Sequence, residues 1–452
     1  MKIIIAGDGK VGSSLTQQLT AEGHDITIID NDRSVIEQSL EQYDIMAVEG
    51  NCATMHTLEQ ADTANADLLI AVTGADELNL LCCMTAHKIN NSIHTIARIR
   101  NPEYSDQIYA MRDLFALSMV VNPERQAAVE ISRLLKYPGF LKRETFAKGR
   151  VEIVELKISE NSKLCNVSLS NLGDIVKCKV LICTVVRNGH AITPDGSFVL
   201  KNNDRIFVTA PSENLTILLK NLGIIPKKAK KIIIAGGGKI SFYLAQILEK
   251  TSISVRLLEK DYERCLELAA MLKDTDIVHA DASRQQTLES EGLDDCDALV
   301  SLTGIDELNI VISLFGNSLN VSQIITKLGR LENNGMLDDL PIGSLISPKN
   351  LCVNSIERYV RAMQNQTGAA VAVHSIADGN AEAMEFRVDE TTRNCDIPLK
   401  KLKLKKGVLL VSISRKGVTE IPNGDSSFSK GDTVIVVSGN EVIISKLNDI
   451  FE

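Results

Sequence analysis

The pentapeptide Lys-Ile-Ile-Ile-Ala occurs twice in this chain, at 2–6 and at 231–235, and each copy runs directly into a glycine-rich hexapeptide. The first is Gly7-Asp8-Gly9-Lys10-Val11-Gly12 and the second is Gly236-Gly237-Gly238-Lys239-Ile240-Ser241. Behind the first loop, Leu15, Leu19 and Gly23 keep a helical spacing, and a second apolar run from Ile26 to Ile29 ends on Asp30. In the second copy the matching run, Val255 to Leu258, ends on Glu259. Loop and acid recur at one offset, 236 − 7 = 229 and 259 − 30 = 229, so the unit is repeated in register. Strand, tight turn, helix and strand make a βαβ unit. In a dinucleotide-binding version the first glycine permits the turn, the second lets backbone approach the pyrophosphate, and the third lets helix and strand pack closely. The helix N-terminus adds free N–H groups and a positive dipole for the phosphates. Asp30 lies eighteen residues beyond Gly12 (30 − 12), about where a carboxylate reaches both ribose hydroxyls. It also repels a 2′-phosphate, which favours ligands of the NAD type over the NADP type.

The first half continues with a predicted helix from Ser34 to Tyr43, a strand from Ile45 to Val48 and the turn Gly50-Asn51-Cys52. A helix through Leu58 follows, then an apolar strand from Leu68 to Val72 that ends in Thr73-Gly74-Ala75-Asp76-Glu77-Leu78-Asn79. A helix from Leu78 to Lys88 and strands near 95–99 and 117–121 complete the pattern. Near-continuous apolar strands alternating with helices predict a parallel doubly wound sheet. In the second half Asp281 stands where Asn51 stood, and Thr303-Gly304-Ile305-Asp306-Glu307-Leu308-Asn309 matches its counterpart at six of seven positions, at an offset of 303 − 73 = 230. Ligands bind outside the carboxyl ends of such strands, so this turn is a candidate ribose and adenine wall. Capping of the following helix is the competing account of Asp76, Glu77 and Asn79.

Asn122-Pro123-Glu124 opens a helix to Leu135 that stops at Tyr137-Pro138-Gly139, and Ser347-Pro348-Lys349 opens its match. Such an exposed helix outside the Rossmann core is expected to serve as a crossover or as a docking element between subunits. From Arg150 to Leu222 the pattern changes to short alternating runs broken by Arg187-Asn188-Gly189-His190 and Pro194-Asp195-Gly196, closed by a helix from Asn214. This reads as a small β-rich α+β module, copied at Arg415-Lys416-Gly417 and Pro422-Asn423-Gly424. Gly223 to Lys231 is a solvated linker. The fold class is therefore α/β: two Rossmann-like doubly wound parallel sheets, each followed by a small α+β module.

Composition narrows the function. The net charge of −9 and the absence of Trp argue against a nucleic-acid binder. No stretch approaches eighteen uninterrupted apolar residues, so no membrane span is expected, and an N-terminus that enters a strand at once predicts a cytosolic chain. The ten cysteines and seven histidines are scattered without metal-ligand spacing, and the cysteines read as reduced core residues. An NAD-dependent oxidoreductase with a duplicated cofactor domain is one reading. It needs a general acid or base beside a substrate pocket, and His190 and His374, the histidines near loops of the small modules, do not correspond between copies. Catalysis is therefore not expected. Lys10 and Lys239 share one slot at a helix N-terminus, where a cation is unfavourable without an anion nearby, so both are candidate phosphate contacts. Arg98 and Lys327 end the next strand and offer a second cation. Ser241 for the third glycine and Glu259 for Asp30 set the two sites apart, one suited to NAD(H) and the other to ADP or ATP.

Taken together, KIIIAGDGKVG with Asp30 and VTGADELN, followed by KIIIAGGGKIS and SLTGIDELN, make the whole chain resemble the RCK (KTN) family and its TrkA-type regulators of potassium uptake. Each half looks like an RCK N-domain with an RCK-C (TrkA-C) module. The expected boundaries are 1–123, 140–225, 229–348 and 369–452. The resemblance implies nucleotide contacts from Gly7 through Val11, Asp30, Thr73, Gly74 and Arg98, then from Gly236, Gly237, Gly238, Lys239 and Ile240, Glu259, Thr303 and Gly304. Asn51 stands where many such domains carry an aspartate, which Asp281 retains. It further implies a homo-oligomeric, tetrameric ring on the cytoplasmic face of the membrane. The ring would bind NAD(H), ADP or ATP and gate a membrane subunit of the TrkH or TrkG type. A sensor for a cation efflux channel fits the residues as well.

Overall fold

The computed structural model describes residues 1–136, 141, 143–146, 151–223, 229–329, 337, 340–363, 370–377, 380–439, 442, 444 and 446–452. The stop signal at 137–139 and much of the expected linker, 224–228, lie outside them. The first unit runs β1 (Lys2–Ala6), α1 (Lys10–Ala21), β2 (Asp25–Asp30), α2 (Arg33–Gln42), β3 (Met46–Glu49), α3 (Met55–Gln60), β4 (Leu68–Ala71), α4 (Asp76–Ile89), β5 (His94–Arg98), α5 (Pro102–Ala110), β6 (Met119–Val121) and α6 (Pro123–Lys136). Its sheet is parallel, in the order β3-β2-β1-β4-β5-β6. Each apolar run lies in the interior because helices cover both faces: Ile3, Ile5, Ile28 and Ile70 fill one side, Ile4, Ala6, Ile29 and Leu69 the other. Between β1 and β4 the chain reverses its direction of travel across the sheet, and there the strand ends splay into a crevice.

A small antiparallel unit follows: β7 (Arg143–Phe146), β8 (Val151–Lys157), α7 (Leu172–Val176), β9 (Leu181–Arg187), β10 (His190–Ile192), β11 (Arg205–Ala210) and α8 (Ser212–Leu222), in the order β10-β9-β11-β8-β7. Asn188 and Gly189 turn the β9–β10 hairpin with positive φ, as a primed turn requires.

The second half repeats the scheme with β12 (Lys231–Ala235), α9 (Lys239–Leu248), β13 (Ser254–Glu259), α10 (Tyr262–Met271), β14 (Thr275–His279), α11 (Gln285–Ser290), β15 (Ala298–Ser301), α12 (Asp306–Ser318), β16 (Gln323–Lys327), β17 (Ser344–Ile346) and α13 (Pro348–Met363). Its parallel order, β14-β13-β12-β15-β16-β17, copies the first sheet. The second small sheet has β18 (Ala370–Ile376), β19 (Ala381–Arg387), β20 (Val408–Arg415), β21 (Val418–Glu420) and β22 (Thr433–Gly439). The ion pair Arg187–Asp204 of the first module, with its aspartate buried, recurs as Arg415–Asp432.

The helix expected to be exposed is buried, and it crosses to the other half. Ala127, Ala128, Ile131, Leu134 and Leu135 of α6 are buried among Ile232, Ile234, Leu244 and Val255 of the other half. In return, Cys352, Val353, Ile356 and Val360 of α13 are buried among Ile3, Ile5, Val11 and Leu15. Each half lends a helix to its sister's sheet. The small modules also meet: Ile153, Cys183 and Phe207 share a core with Ala383, Val411 and Ile435. All ten cysteines are free thiols, and among the described residues no helix is long and apolar enough to cross a membrane.

Candidate nucleotide-binding sites

The two glycine loops close over the strand ends in the same way. Gly7 (φ +93°) and Gly236 (φ +101°) sit in the left-handed region, and a Cβ on Gly7 would lie 2.9 Å from the Thr73 backbone. A Cβ on Gly12 would lie 2.0 Å from the Gly7 carbonyl oxygen, so helix and loop touch there. Ser241 solves the same position differently: fully buried, its hydroxyl donates to the Gly236 carbonyl at 2.5 Å and holds a loop that has room for a side chain. The middle glycines, Gly9 and Gly238, face open space with nothing within 4 Å of a built Cβ. Both are N-caps that offer no side-chain acceptor to the helix behind them. The first N–H groups of α1 and α9 therefore point out of the loop without an intrahelical partner, which is the geometry an anion completes.

Asp30 is held in place by the backbone. Its Oδ2 accepts from the Asp8 N–H at 2.7 Å and its Oδ1 from the Asp32 N–H at 3.0 Å. Glu259 makes the matching pair with the N–H groups of Gly237 and Asp261, at 2.6 and 2.8 Å. Asn51 and Asp281 are also alike, since each accepts from the N–H two residues on at 3.0 Å and opens the turn after the third strand.

At the far wall Thr73 donates from N–H (2.8 Å) and hydroxyl (2.7 Å) to Asn79 Oδ1, and Asn79 Nδ2 donates to the Arg98 carbonyl at 2.8 Å. Thr303, Asn309 and Lys327 repeat this at 2.8, 2.7 and 3.0 Å. Asp76 stands in the first turn of α4 but is not its N-cap; its carboxylate accepts from the Arg100 and Asn101 N–H groups at 2.7 and 2.8 Å. Gly74 and Gly304 lie open beside these turns. Arg98 and Lys327 do reach the crevice floor, where each donates to the carbonyl of Thr73 or Thr303 at 2.5 Å. Burial lowers the pKa of both.

Sequence reasoning missed what joins the sites. Tyr243, on the helix behind the second loop, accepts from Asn122 Nδ2 at 3.0 Å and donates to the Arg100 carbonyl at 3.2 Å, bridging the halves. Glu124 lies at the start of α6 with one carboxylate oxygen buried and unpartnered. Burial pushes its pKa up, while Arg100 and Arg98 of its own half and Lys239 of the other pull it back. Lys327 in turn feels the charge of Lys10 across the seam. Cations of both sites thus converge on one carboxylate. Only the fold brings Glu124 and Lys239 together; no spacing in the chain signals it.

Two family models match this architecture: the TrkA-N domain at residues 3–123 and 232–348, and the TrkA-C domain at 153–223 and 383–451. The chain belongs to the TrkA family. A TrkA homolog of the Trk potassium uptake system from Archaeoglobus fulgidus is 32% identical over 451 residues, covering 100% of both chains. The Trk system potassium uptake protein TrkA of Haemophilus influenzae is 29% identical over 461 residues, covering 100% of this chain and 99% of the relative. Among solved structures, the GsuK RCK domain aligns with a TM-score of 0.63 at 18% identity, covering 97% of this chain and 92% of that one. The GsuK channel bound to NAD gives a TM-score of 0.62 at 18% identity, covering 97% and 77%. At such identity the likeness to GsuK is one of fold, and the TrkA relationship rests on the full-length matches.

Proposed function

We propose that this chain is the nucleotide-sensing regulatory subunit of a Trk-type potassium uptake system. In this reading it works in the cytoplasm against a TrkH- or TrkG-like membrane subunit as a tetrameric ring, in the four units 1–123, 140–225, 229–348 and 369–452. The observation that carries it is the pair of open glycine loops, each with a backbone-pinned acid, linked by charges of the two halves that act on each other. NAD(H) is the ligand that Asp30 suits best, with ADP or ATP at the second site; GsuK, which shares the fold, has been solved with NAD and with ADP. The contacts are Gly7, Asp8, Gly9, Lys10, Val11, Gly12, Asp30, Asn51, Thr73, Gly74 and Arg98 in the first site. In the second they are Gly236, Gly237, Gly238, Lys239, Ile240, Glu259, Asp281, Thr303, Gly304 and Lys327. The oxidoreductase alternative is set aside, since the relatives are named for potassium uptake and the inner faces of the small modules are spent on packing against each other.

A ligand shifts a ring only by its difference in affinity for two conformations, and turning 1:99 into 99:1 takes about 5.5 kcal/mol. Spread over about eight sites in four chains, that is under about 1 kcal/mol each. Phosphates entering either loop compete with Glu124 for the same cations, which couples the halves.

Isothermal titration of the chain with NADH, NAD, ADP and ATP tests the reading. Two classes of site are expected, with Gly9→Val deleting one and Gly238→Val the other. Asp30→Ala should weaken NADH at the first site by about 1.5–3 kcal/mol. Binding that survives both glycine substitutions would remove the loops from the ligand.

A further inference from the structure

Three buried positions under the first glycine loop change together between the two halves. Asp8 is 2% exposed, and its carboxylate accepts from the Thr16 hydroxyl at 3.2 Å and from the Ser39 hydroxyl. At the constant offset of 229 these residues become Gly237, Ala245 and Leu268 (8, 16 and 39 plus 229). A Cβ on Gly237 would lie 2.7 Å from Leu268 Cδ1 and 2.9 Å from Glu259 Oε2, so in the second half a leucine fills the space that the carboxylate and its hydroxyls fill in the first. The chain thus holds two complete packings of one position. One keeps a buried acid and the other removes it along with both of its hydrogen-bond donors.

A buried carboxylate is costly unless it is well paired, and here its donors are two neutral hydroxyls. It also lies next to another acid. The Asp8 N–H is the donor that holds Asp30, so two carboxylates flank one peptide group of the loop, and the charge of Asp30 bears on Asp8. The second site has one acid, Glu259, at the equivalent place. Any phosphate over the first loop therefore lies in a more negative field than a phosphate over the second.

We infer that Asp8 sets the charge preference of the first site, selecting a dinucleotide with its less anionic pyrophosphate over ADP and ATP, while Gly237 leaves the second site permissive. This rests on the reading of both loops as nucleotide sites and names the residue that makes them unequal. Charges a few ångströms apart near a protein surface interact strongly enough that each extra phosphate charge costs the first site roughly tenfold in affinity.

The test uses the full chain with the second loop closed by Gly238→Val, titrated with NADH and with ATP. Two variants are made in that background: Asp8→Asn, and the triple exchange Asp8→Gly, Thr16→Ala, Ser39→Leu, which imports a packing that the second half already accommodates. Both should raise the ATP-to-NADH affinity ratio by at least about tenfold. An ATP-to-NADH affinity ratio that neither variant moves would overturn the role of Asp8 and leave the nucleotide reading intact. If the Gly238→Val chain binds neither ligand, the nucleotide reading of the first loop falls and this inference with it.

Discussion

Asn79 is fully buried, and its side chain ties the end of β4 to the end of β5 through two bonds from Thr73 and one to Arg98. In the sequence it is an asparagine in the first turn of a helix, a position that reads as capping. The repeat TGADELN marks it without saying that it points back at the strands rather than at its own helix. Asn79→Ala should leave the Thr73 N–H and the Arg98 carbonyl unpaired in the interior, a cost of about 2–4 kcal/mol read from the urea midpoint. An unmoved midpoint would mean that solvent replaces all three bonds. Gly7, Gly12, Asp30 and Glu259 were legible because their roles are local: a turn, a close approach, the end of a strand. The role of Asp8 was not, because its partner Ser39 lies 31 residues away on another helix. Lys239 was found as a cation at a helix N-terminus, but the carboxylate of Glu124 that feels its charge came only with the fold.

At the scale of elements, the order of strands and helices could be read from apolar runs and turn residues, and both parallel sheets follow that order. The partner of α6 could not. Its apolar stripe of Ala127, Ala128, Ile131, Leu134 and Leu135 says that one face is buried, and periodicity carries no address. Duplication makes the address ambiguous, since β1 and β12 are the same pentapeptide and offer helices almost the same surface. The exchange observed here can be checked. Ile131→Ala should cost about 2–4 kcal/mol, and hydrogen exchange should quicken in β12 and β13 of the second sheet, while β1 and β2 stay protected. Ile356→Ala should do the reverse. Loss of protection in β1 and β2 on changing Ile131 would mean that α6 covers its own sheet in solution.

Across the whole molecule, the lent helix α13 connects the first Rossmann unit to the second small module through a cluster of charges. Arg361 donates to Glu22 at the end of α1, at 3.0 Å from Nε, and Glu382 on β19 faces the same group. Glu357, one turn back on α13, is 8% exposed with one carboxylate oxygen unpartnered. Burial pushes its pKa up to about 7 from the ordinary 4.5; Arg361 opposes the shift, and Glu22 and Glu382 add to it. Burial likewise raises Glu382, whereas at Glu22 the bonds from His24 and Arg361 outweigh burial and lower it. For Glu357 the folded chain keeps a proton that the unfolded chain gives up, so between pH 4.5 and about 7 stability falls as pH rises and then levels off. The loss is at most about 3 kcal/mol. Glu22 acts with the opposite sign, but below this window, so it does not cancel the slope. Glu357→Gln keeps the neutral shape at every pH. The variant should match the parent near pH 5 and exceed it near pH 8 in thermal unfolding, with the two curves separating across the window. Coincident curves at pH 8 would show that Glu357 ionises without cost, and that this junction carries no proton-linked strain between the nucleotide unit and the module it joins.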